Sequence, residues 1–572
     1  YVKENQLQTL HHIRAIARIE EKEHLWLDRF TIKNLELVYP QQERAKTLLD
    51  VIDYTLTAMG GRLLKRWLLL PLTNLNQIHA RNGAVAWFHV NEGACESIRE
   101  YLASCGDLER LISKVAVGKV NPREIRHIHR SLELIDPIKQ RLNEGKENTM
   151  ICELSNSFQA CSELLRQIDE TIDPAPAIAV GKGNVIKAGV SKELDDLRNI
   201  SNNGKQYLQE LQDREAEKTG ITSLKIAFNN VFGYYIEVRN THKDKVPSEW
   251  IRRQTLVNAE RYITEELKEY EEKILGAEAK IIAIEQRLYQ ELLGALATHV
   301  AVIQQNAATL ARLDVLSSFA ILAKEQQYCL PEVNESLVIH IEEGRHPVIE
   351  KQLKSGEIYV ANDLYLSNDD QQIMMITGPN MSGKSAALRQ TALIVILAQI
   401  GSFVPAKKAT IGLVDKVFTR VGASDNLSAG ESTFMVEMNE TASILNNLSE
   451  RSLVILDEIG RGTSTYDGIS IAWSITEYLH ENKKHRPKTL FATHYHELNE
   501  MASRFERIKN YSIAVKELGK NILFLRKLVA GGSEHSFGIH VAKLAGMPDW
   551  VVKRAEHVLK ELENSHQHVG QT

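Results

Sequence analysis

The clearest chemical pattern in this chain is a glycine-rich run that ends in lysine and serine. The run follows Thr377 and reads Gly378, Pro379, Asn380, Met381, Ser382, Gly383, Lys384 and Ser385. Its glycines let backbone N–H groups curl around phosphate oxygens, and a following helix adds the positive end of its dipole. Lys384 is expected to reach the β- and γ-phosphates, and the Ser385 hydroxyl to ligate Mg²⁺. The run therefore predicts a nucleoside triphosphate site.

Two adjacent carboxylates, Asp457 and Glu458, follow the short apolar run 453–456. An acid at the end of a buried strand can hold Mg²⁺ through water, and this role is expected for Asp457. Glu458 is expected to orient or deprotonate the attacking water. Acids at strand ends are common, but downstream of a phosphate-binding run this pair predicts nucleotide hydrolysis.

Two further patterns narrow the class of nucleotidase. Residues 427–432 (LSAGES) resemble the Leu-Ser-Gly-Gly-Gln signature of ABC-type ATPases, and His494 follows the next apolar strand, where those ATPases carry a γ-phosphate sensor. The guanine-reading pattern Asn-Lys-x-Asp does not occur in the sequence. The nearest match, 482–485, ends in histidine where the pattern requires aspartate. ATP is therefore predicted rather than GTP.

The elements around these residues alternate between strand and helix from about residue 332 onward. Short apolar strands at 373–376, 453–456 and 489–492 predict a mostly parallel sheet covered by helices. A helix-turn-helix is predicted beyond Gly531-Gly532, with helices at 539–545 and 549–562.

The residues ahead of 332 have helical periodicity. A heptad run over 263–288 predicts one long helix, which fits an ordinary bundle and an extended paired arm equally well. A weaker heptad run places Leu194, Leu197, Leu208 and Leu211 on one seam. Between the two runs, residues 224–228 and 234–238 read as β-strands, at the tip of two antiparallel helices.

This β-rich insert carries a modest positive charge. Lys243, Lys245, Arg252 and Arg253 lie in it, and the aromatic residues Tyr234, Tyr235 and Trp250 accompany them. Such a tip could grip a phosphate backbone, although small charge excesses are more often plain solvated surface.

Composition limits the remaining classes. The chain has 572 residues, 43% of them hydrophobic, and 69 Lys+Arg against 74 Asp+Glu give a net charge of −5, so any nucleic-acid surface must be local. The apolar stretch 391–406 is too short and too interrupted for a membrane span. Five cysteines form no C-x-x-C pair, which argues against a zinc-binding or disulfide-linked scaffold. The same cysteine usage favours a protein of the reducing cytoplasm. The start at Tyr1 suggests a fragment.

Longer motifs now identify a family. Residues 377–385, 432–438, 457–468 and 491–495 resemble the ATPase motifs of the MutS family of bacterial DNA mismatch-repair proteins, and 34–37, 106–110 and 252–262 are similar to its core and clamp regions. The resemblance implies a multidomain protein with a long α-helical core and lever, a small β-rich clamp insert, an ABC-type α/β P-loop ATPase and a C-terminal helix-turn-helix. The implied boundaries are 1–207 and 268–331 for core and lever, 208–267 for the clamp, 332–530 for the ATPase and 531–572 for a dimerising element.

The same resemblance assigns roles to single residues. Tyr359 matches the aromatic residue that stacks on adenine, Ser432 the signature serine that approaches the partner subunit's γ-phosphate, and Asn380 a P-loop asparagine near the phosphates. The implied cofactors are ATP and Mg²⁺. The implied partners are double-stranded DNA, a second copy of the chain, and MutL, in the bacterial cytosol or nucleoid without a membrane.

Two departures from the family pattern stand out. Ala386 replaces the usual threonine after the P-loop serine, and no Phe has a Glu two positions later, so the mismatch-reading wedge is absent from these residues. A MutS-like recombination paralogue that lacks the wedge is therefore the alternative. Transporter ATPases and structural coiled-coil proteins fit less well, because the former would not carry the core and clamp and the latter would not need Glu458.

Overall fold

The computed structural model describes residues 21–43, 45–229, 233–354, 356–379, 382–421, 433–518, 521–532 and 538–569. The protein is multidomain and mostly helical, with several sheets. Two compact units contain these residues. The first is built from Cys105–Pro137 and Phe158–Ala307, and the second from the described residues up to 104, Ile138–Ser157 and those from 308 onward.

A pair of long helices dominates the first unit. These are Lys192–Thr219 and Glu265–Thr298. Tyr207 stacks on Tyr270 with 3.8 Å between ring centroids, and Arg198 pairs with Glu285 at 2.6 Å. The earlier residue of one helix thus meets the later residue of the other, so the two helices run antiparallel. The long helix predicted from the heptads over 263–288 is thereby confirmed, although it continues to Thr298.

A four-stranded antiparallel sheet lies between these two helices in the chain. Its spatial order is Lys225–Asn229, Gly233–Arg239, Ala259–Ile263 and Ile251–Thr255. The two strands predicted at 224–228 and 234–238 are confirmed as a hairpin. The first long helix continues to Thr219, so the sheet begins only at Lys225 of the proposed 208–267 insert.

A seven-stranded sheet, here called the central sheet, forms the middle of the second unit. Its order is Trp26–Leu27, Lys416–Val421, Leu453–Asp457, Lys488–Thr493, Ile373–Thr377, Ile508–Leu518 and Asn521–Ala530. The first six strands are parallel and the last is antiparallel. The predicted mostly parallel sheet is confirmed, and its core includes Met375, Phe418 and Phe491.

The edge strand of the central sheet comes from the beginning of the chain. Trp26–Leu27 pairs with Lys416–Val421, and the helix Arg29–Asn34 follows at once. From that helix the Thr31 hydroxyl donates to the carbonyl of Val417 and the Asn34 amide to that of Thr419. Sequence analysis assigned these residues only to the core, so their place on the central sheet is a structural finding.

A second four-stranded sheet has the order Glu332–Asn334, Lys408–Gly412, Val338–Gly344 and Asn362–Ser367. The remaining α-helices are Leu48–Ile52, Ala58–Leu69, Leu75–Val90, Glu92–Ala103, Leu108–Ala116, Pro122–Glu133, Ile135–Leu142, Thr149–Ser157, Ser162–Thr171, Val300–Gln326, Pro347–Gln352, Lys384–Ile400, Thr433–Asn446, Thr465–Glu481, Met501–Arg504, Gly538–Leu544 and Asp549–Val569. The last two confirm the predicted helix-turn-helix, and the second of them is longer than expected.

Among the described residues one helix, Val300–Gln326, is long and apolar enough to cross a bilayer. In this structure 83% of its most apolar window is buried inside the protein. A buried core helix has the same composition, so the helix is weak evidence for a membrane span.

Candidate nucleotide site

The carboxyl ends of three neighbouring strands bring the predicted ATP-site residues together. The strands Leu453–Asp457, Lys488–Thr493 and Ile373–Thr377 are adjacent and parallel. The residues that follow them therefore meet along the edge formed by the carboxyl ends of the strands. Those residues are Glu458, His494 and the glycine-rich run. Ligands of open α/β sheets bind at this edge.

The glycine-rich run turns from strand into helix as predicted. Gly378 and Gly383 have φ of 144° and 104°, which residues with a side chain rarely adopt, and Gly383 is the N-cap of the helix Lys384–Ile400. This turn places the beginning of a 17-residue helix, with its unpaired N–H groups, at the wall of a cavity that Lys384 and Ser385 line. Asn380 and Met381 lie outside the described residues.

Lys384 is buried at the base of this turn, with 4% of its surface exposed. Its ammonium donates to the carbonyl oxygens of Gly378 and Pro379, the latter at 2.9 Å. Burial lowers the pKa of Lys384, and the nearby carboxylates of Glu458 and Asp457 oppose that shift. The cation is thus held within its own loop, where a phosphate oxygen could share it.

Asp457 and Ser385 line the same cavity. Burial raises the pKa of Asp457, an effect that the Ser385 hydroxyl and Lys384 oppose. Its Oδ1 is buried and has no hydrogen-bond partner among the described residues. A buried acceptor without a partner is costly, so this atom is suited to a cation or an ordered water.

Glu458 has an unusual backbone for a residue with a side chain, with φ of 57°. Its N–H donates to the carbonyl of Ala492 at 2.9 Å, and its Oε2 lies 2.5 Å from Nη1 of Arg461. Left-handed residues of this kind cost about 1 kcal/mol or more and cluster at functional sites. Glu458 lies in the lining of the same cavity as Lys384 and Asp457.

A cavity of about 410 Å³ joins these groups. Its lining includes the P-loop residues Pro379, Ser382, Gly383, Lys384 and Ser385, the departure Ala386, the acids Asp457 and Glu458, and also Arg389, Val421 and Arg461. The two arginines were not among the residues predicted from the sequence. Arg389 lies four residues beyond Ser385 on the same helix, a spacing that puts two side chains on one face and could have identified it. Arg461 lies three residues beyond Glu458 in a turn, where no such periodicity applies.

His494 is half-buried next to the cavity without lining it. Its ring lies 4.2 Å from that of Tyr495, and burial lowers the pKa of His494, while the charge of Glu458 raises it. The imidazole is therefore in electrostatic reach of Glu458 and mostly neutral at pH 7.

Tyr359 stands at a distance from the phosphate end of the site. Its hydroxyl donates to Oε1 of Gln390 at 3.0 Å, and Gln390 is six residues, or about 9 Å of helix, beyond Lys384. Burial raises the pKa of Tyr359 to about 12, and Arg526 is among the charges acting on it.

Arg526 is a third cation that sequence analysis missed. It is exposed, has φ of 55°, and its Cβ would lie 3.9 Å from a methyl group placed on Gly383. It therefore lies between the P-loop and Tyr359. Ser432, by contrast, lies outside the described residues, which resume at the helix Thr433–Asn446.

The four basic residues noted in the insert between the two long helices are exposed. Lys243 and Lys245 lie on the 3-10 helix Asn240–Lys245, and Arg252 and Arg253 on the strand Ile251–Thr255, where Arg252 pairs with Glu260 at 3.4 Å.

The aromatic part of the prediction for this insert is wrong. Trp250 is 6% exposed and belongs to the core of this small sheet, with the half-buried Tyr234 packed against that core. Tyr235 is also 6% exposed, and Arg261 stacks on it at 4.2 Å. Among the described residues of the insert, the exposed large apolar side chains are instead Phe228, Ile251 and Val257.

Comparison with known proteins gives two family models and many relatives. A model of MutS domain III matches residues 30–320, and one of MutS domain V matches 374–563. Proteins called "DNA mismatch repair protein MutS" are 59% identical over 567 residues in Flavobacterium psychrophilum, 60% over 566 in Christiangramia forsetii and 58% over 559 in Bacteroides fragilis. These alignments cover 98–99% of this chain, which spans 65% of the length of each relative.

Proposed function

The chain belongs to the MutS family, and from this premise we propose that it is an ATP-dependent DNA clamp of mismatch repair. In this proposal it binds and hydrolyses ATP and couples the nucleotide to the grip of a dimer on duplex DNA. The observation that carries the proposal is the convergence of Lys384, Ser385, Asp457 and Glu458 on one cavity. The name shared by the relatives supports repair over a recombination paralogue.

The residues of the cavity divide the work of hydrolysis. Lys384 and the N–H groups of the P-loop bind the β- and γ-phosphates, and Arg389 and Arg461 add positive charge around them. Glu458 orients the attacking water and accepts its proton as the bond between the γ-phosphate and ADP breaks. His494 contacts the γ-phosphate as a neutral hydrogen-bond donor, and Tyr359 stacks on the adenine.

The residues also fit Mg²⁺. The hydroxyl of Ser385 would ligate the ion, and the unpartnered Oδ1 of Asp457 would hold it through water, since Mg²⁺ prefers hard oxygen atoms. When bound, the ion neutralises charge on the phosphates. Ala386 removes no ligand from this pair, so activity is expected despite the departure from the family pattern.

The rest of the proposal follows family membership. Residues 1–207 and 268–331 form the core and lever, 208–267 the clamp, 332–530 the ATPase and 531–572 the dimerising element. Ser432 acts on the γ-phosphate of the partner subunit, and the assembled dimer signals to MutL in the cytoplasm.

Two substitutions test the ATPase. Lys384→Ala removes the central cation of the phosphate cradle and should weaken ATP binding roughly 10- to 100-fold, the usual value of a charged hydrogen bond. Glu458→Ala should bind ATP normally but hydrolyse it slowly. Fluorescent-nucleotide titration and phosphate release measure both, with the exposed Lys407→Ala as control. Equal ATP affinity in wild type and Lys384→Ala would contradict the proposal.

A further inference from the structure

A buried carboxylate connects the helix Thr433–Asn446 to the turn that carries Glu458. Glu437 lies one turn into that helix and is 5% exposed. Its Oε1 accepts the backbone N–H of Gly460 at 2.6 Å, and Gly460 is two residues beyond Glu458. The contact joins parts of the chain 23 residues apart.

The charge of Glu437 is balanced from a third element. Nη2 of Arg420, in the strand Lys416–Val421, lies 3.5 Å from Oε2 of Glu437, and Nε of Arg420 lies 3.3 Å from Oε2 of Glu440. All three side chains are 5–6% exposed. A buried charge needs such a partner, so Arg420 keeps Glu437 able to accept the N–H of Gly460.

Gly460 is held on both sides. The hydroxyl of Tyr495 donates to its carbonyl at 2.9 Å, opposite the Glu437 contact on its N–H. Its φ is 87°, and a methyl group at this position would come within 2.6 Å of the carbonyl oxygen of Gly468. The backbone of the turn can therefore adopt few other conformations while these contacts persist.

We propose that Glu437 is a positioning residue for ATP hydrolysis: by holding Gly460 it fixes the turn that aims Glu458 at the cavity. Glu437 is not in the described lining of the nucleotide cavity, which includes the described P-loop residues, so it acts on turnover through Glu458 and not on ATP binding. This inference rests on the proposed role of Glu458.

Glu440 provides a matched control. It is as buried as Glu437, lies on the same helix and pairs with the same arginine, and no contact links it to Gly460. Truncating either glutamate removes a buried carboxylate next to Arg420, and only Glu437→Ala frees the turn.

The test measures kcat, ATP affinity and melting temperature for both variants of the full chain. Glu437→Ala should lower kcat on the order of 10- to 100-fold, the usual effect of misplacing a catalytic group by about 1 Å. Its ATP dissociation constant should stay within about twofold, because the phosphate ligands are untouched. Glu437→Gln, which keeps the acceptor oxygen, should restore most of kcat, and Glu440→Ala should keep kcat near wild type. If Glu437→Ala is too unstable to assay, Glu437→Met keeps the volume without the acceptor and serves in its place.

A double variant separates the outcomes. In a Glu458→Ala background, Glu437→Ala should cause no further loss in single-turnover hydrolysis, since both changes act on one group. Two results would overturn the positioning role. One is that Glu437→Ala slows hydrolysis as much in the Glu458→Ala background as it does in wild type. The other is an equal loss of kcat in Glu437→Ala and Glu440→Ala. Wild-type turnover in Glu458→Ala alone would instead overturn the proposed function on which it rests.

Discussion

Nη1 of Arg461 lies 2.5 Å from Oε2 of Glu458, three residues earlier in the same turn. The arginine is well exposed and the glutamate is not, with side-chain exposures of 61% and 21%. The proposed hydrolytic carboxylate is therefore held by a partner that also lines the phosphate cavity. Arg461 can exchange the carboxylate for a phosphate at little cost, because its exposed end is already hydrated.

The first prediction concerns this arginine. Arg461→Ala should weaken ATP binding several-fold at low salt, because the cavity loses one of its cations, and the difference should shrink as salt screens the charge. Nucleotide titration at two salt concentrations measures the effect. Arg504→Ala, which removes an exposed arginine paired with Glu500, should bind ATP like wild type. An unchanged affinity at low salt would exclude Arg461 from the phosphate site.

The second prediction concerns stability against pH. Nδ1 of His346 accepts the N–H of Ile349 as the N-cap of Pro347–Gln352, which requires a neutral ring. Burial, with the charge of Arg389 adding to it, lowers the pKa of His346 to about 3. Because the folded pKa is below the unfolded value of 6.5, its contribution is complete above pH 6.5 and is lost as the pH falls.

The loss from this one residue should reach about 2 kcal/mol at pH 5, at 1.36 kcal/mol per pH unit. His346→Asn keeps an N-cap acceptor and removes the titration. Urea unfolding at pH 7 and pH 5 should therefore show a smaller pH dependence in His346→Asn than in wild type. An identical pH dependence would mean that His346 does not titrate in this way.

The third prediction concerns the C-terminal helix pair. Val551, Ala555, Val558 and Leu562 recur every three or four residues along the helix Asp549–Val569, and we expect this apolar stripe to hold two copies of the chain together. Val551 is exposed, Ala555 and Val558 are half-buried, and the Leu562 side chain lies outside the described part. Trp550, 76% exposed, adds a large apolar side chain beside Val551.

Trp550→Glu/Val551→Glu should therefore lower the dimer fraction and, with it, ATP turnover, because Ser432 is proposed to act across the dimer. Sedimentation velocity and phosphate release measure the two effects, and Glu556→Gln on the same helix is the control. Unchanged sedimentation would remove these residues from the interface.

The fourth prediction concerns DNA. Lys243 and Lys245 are exposed cations that can neutralise phosphates but cannot report on base pairing. Lys243→Ala/Lys245→Ala should weaken duplex binding and reduce the slope of log affinity against log salt by about 1.8. The chain contains no Phe-x-Glu run, so neither the wild type nor this double variant should prefer a G·T mismatch over matched DNA.

Binding isotherms on matched and mismatched duplexes at two salt concentrations provide the measurement, with Lys280→Ala on the long helix as control. A mismatch preference of about tenfold, or 1.4 kcal/mol, would reveal a second mismatch reader within these residues.

Features set by residues close together in the chain could be predicted from the sequence, whereas contacts between distant residues could not. The P-loop, Asp457 and the three central-sheet strands at 373–376, 453–456 and 489–492 were predictable because each of these motifs is local. Tyr235 and Trp250 were misread as surface residues because aromatic residues beside cations look alike whether they face DNA or fill a small core. The contact of Glu437 with Gly460 and the edge strand Trp26–Leu27 were not predictable, since only the folded topology brings those residues together.

The edge strand has a consequence for synthesis on the ribosome. Thr31 binds the carbonyl of Val417, 386 residues later in the chain. At 5–20 residues per second, the start of the chain waits roughly 20 to 80 s for its pairing partner to be made. During that time Trp26 and its neighbours form an unpaired strand of the kind that recruits other chains. Nascent copies should accordingly depend on chaperones more than the finished protein does, and slowing translation should increase their aggregation.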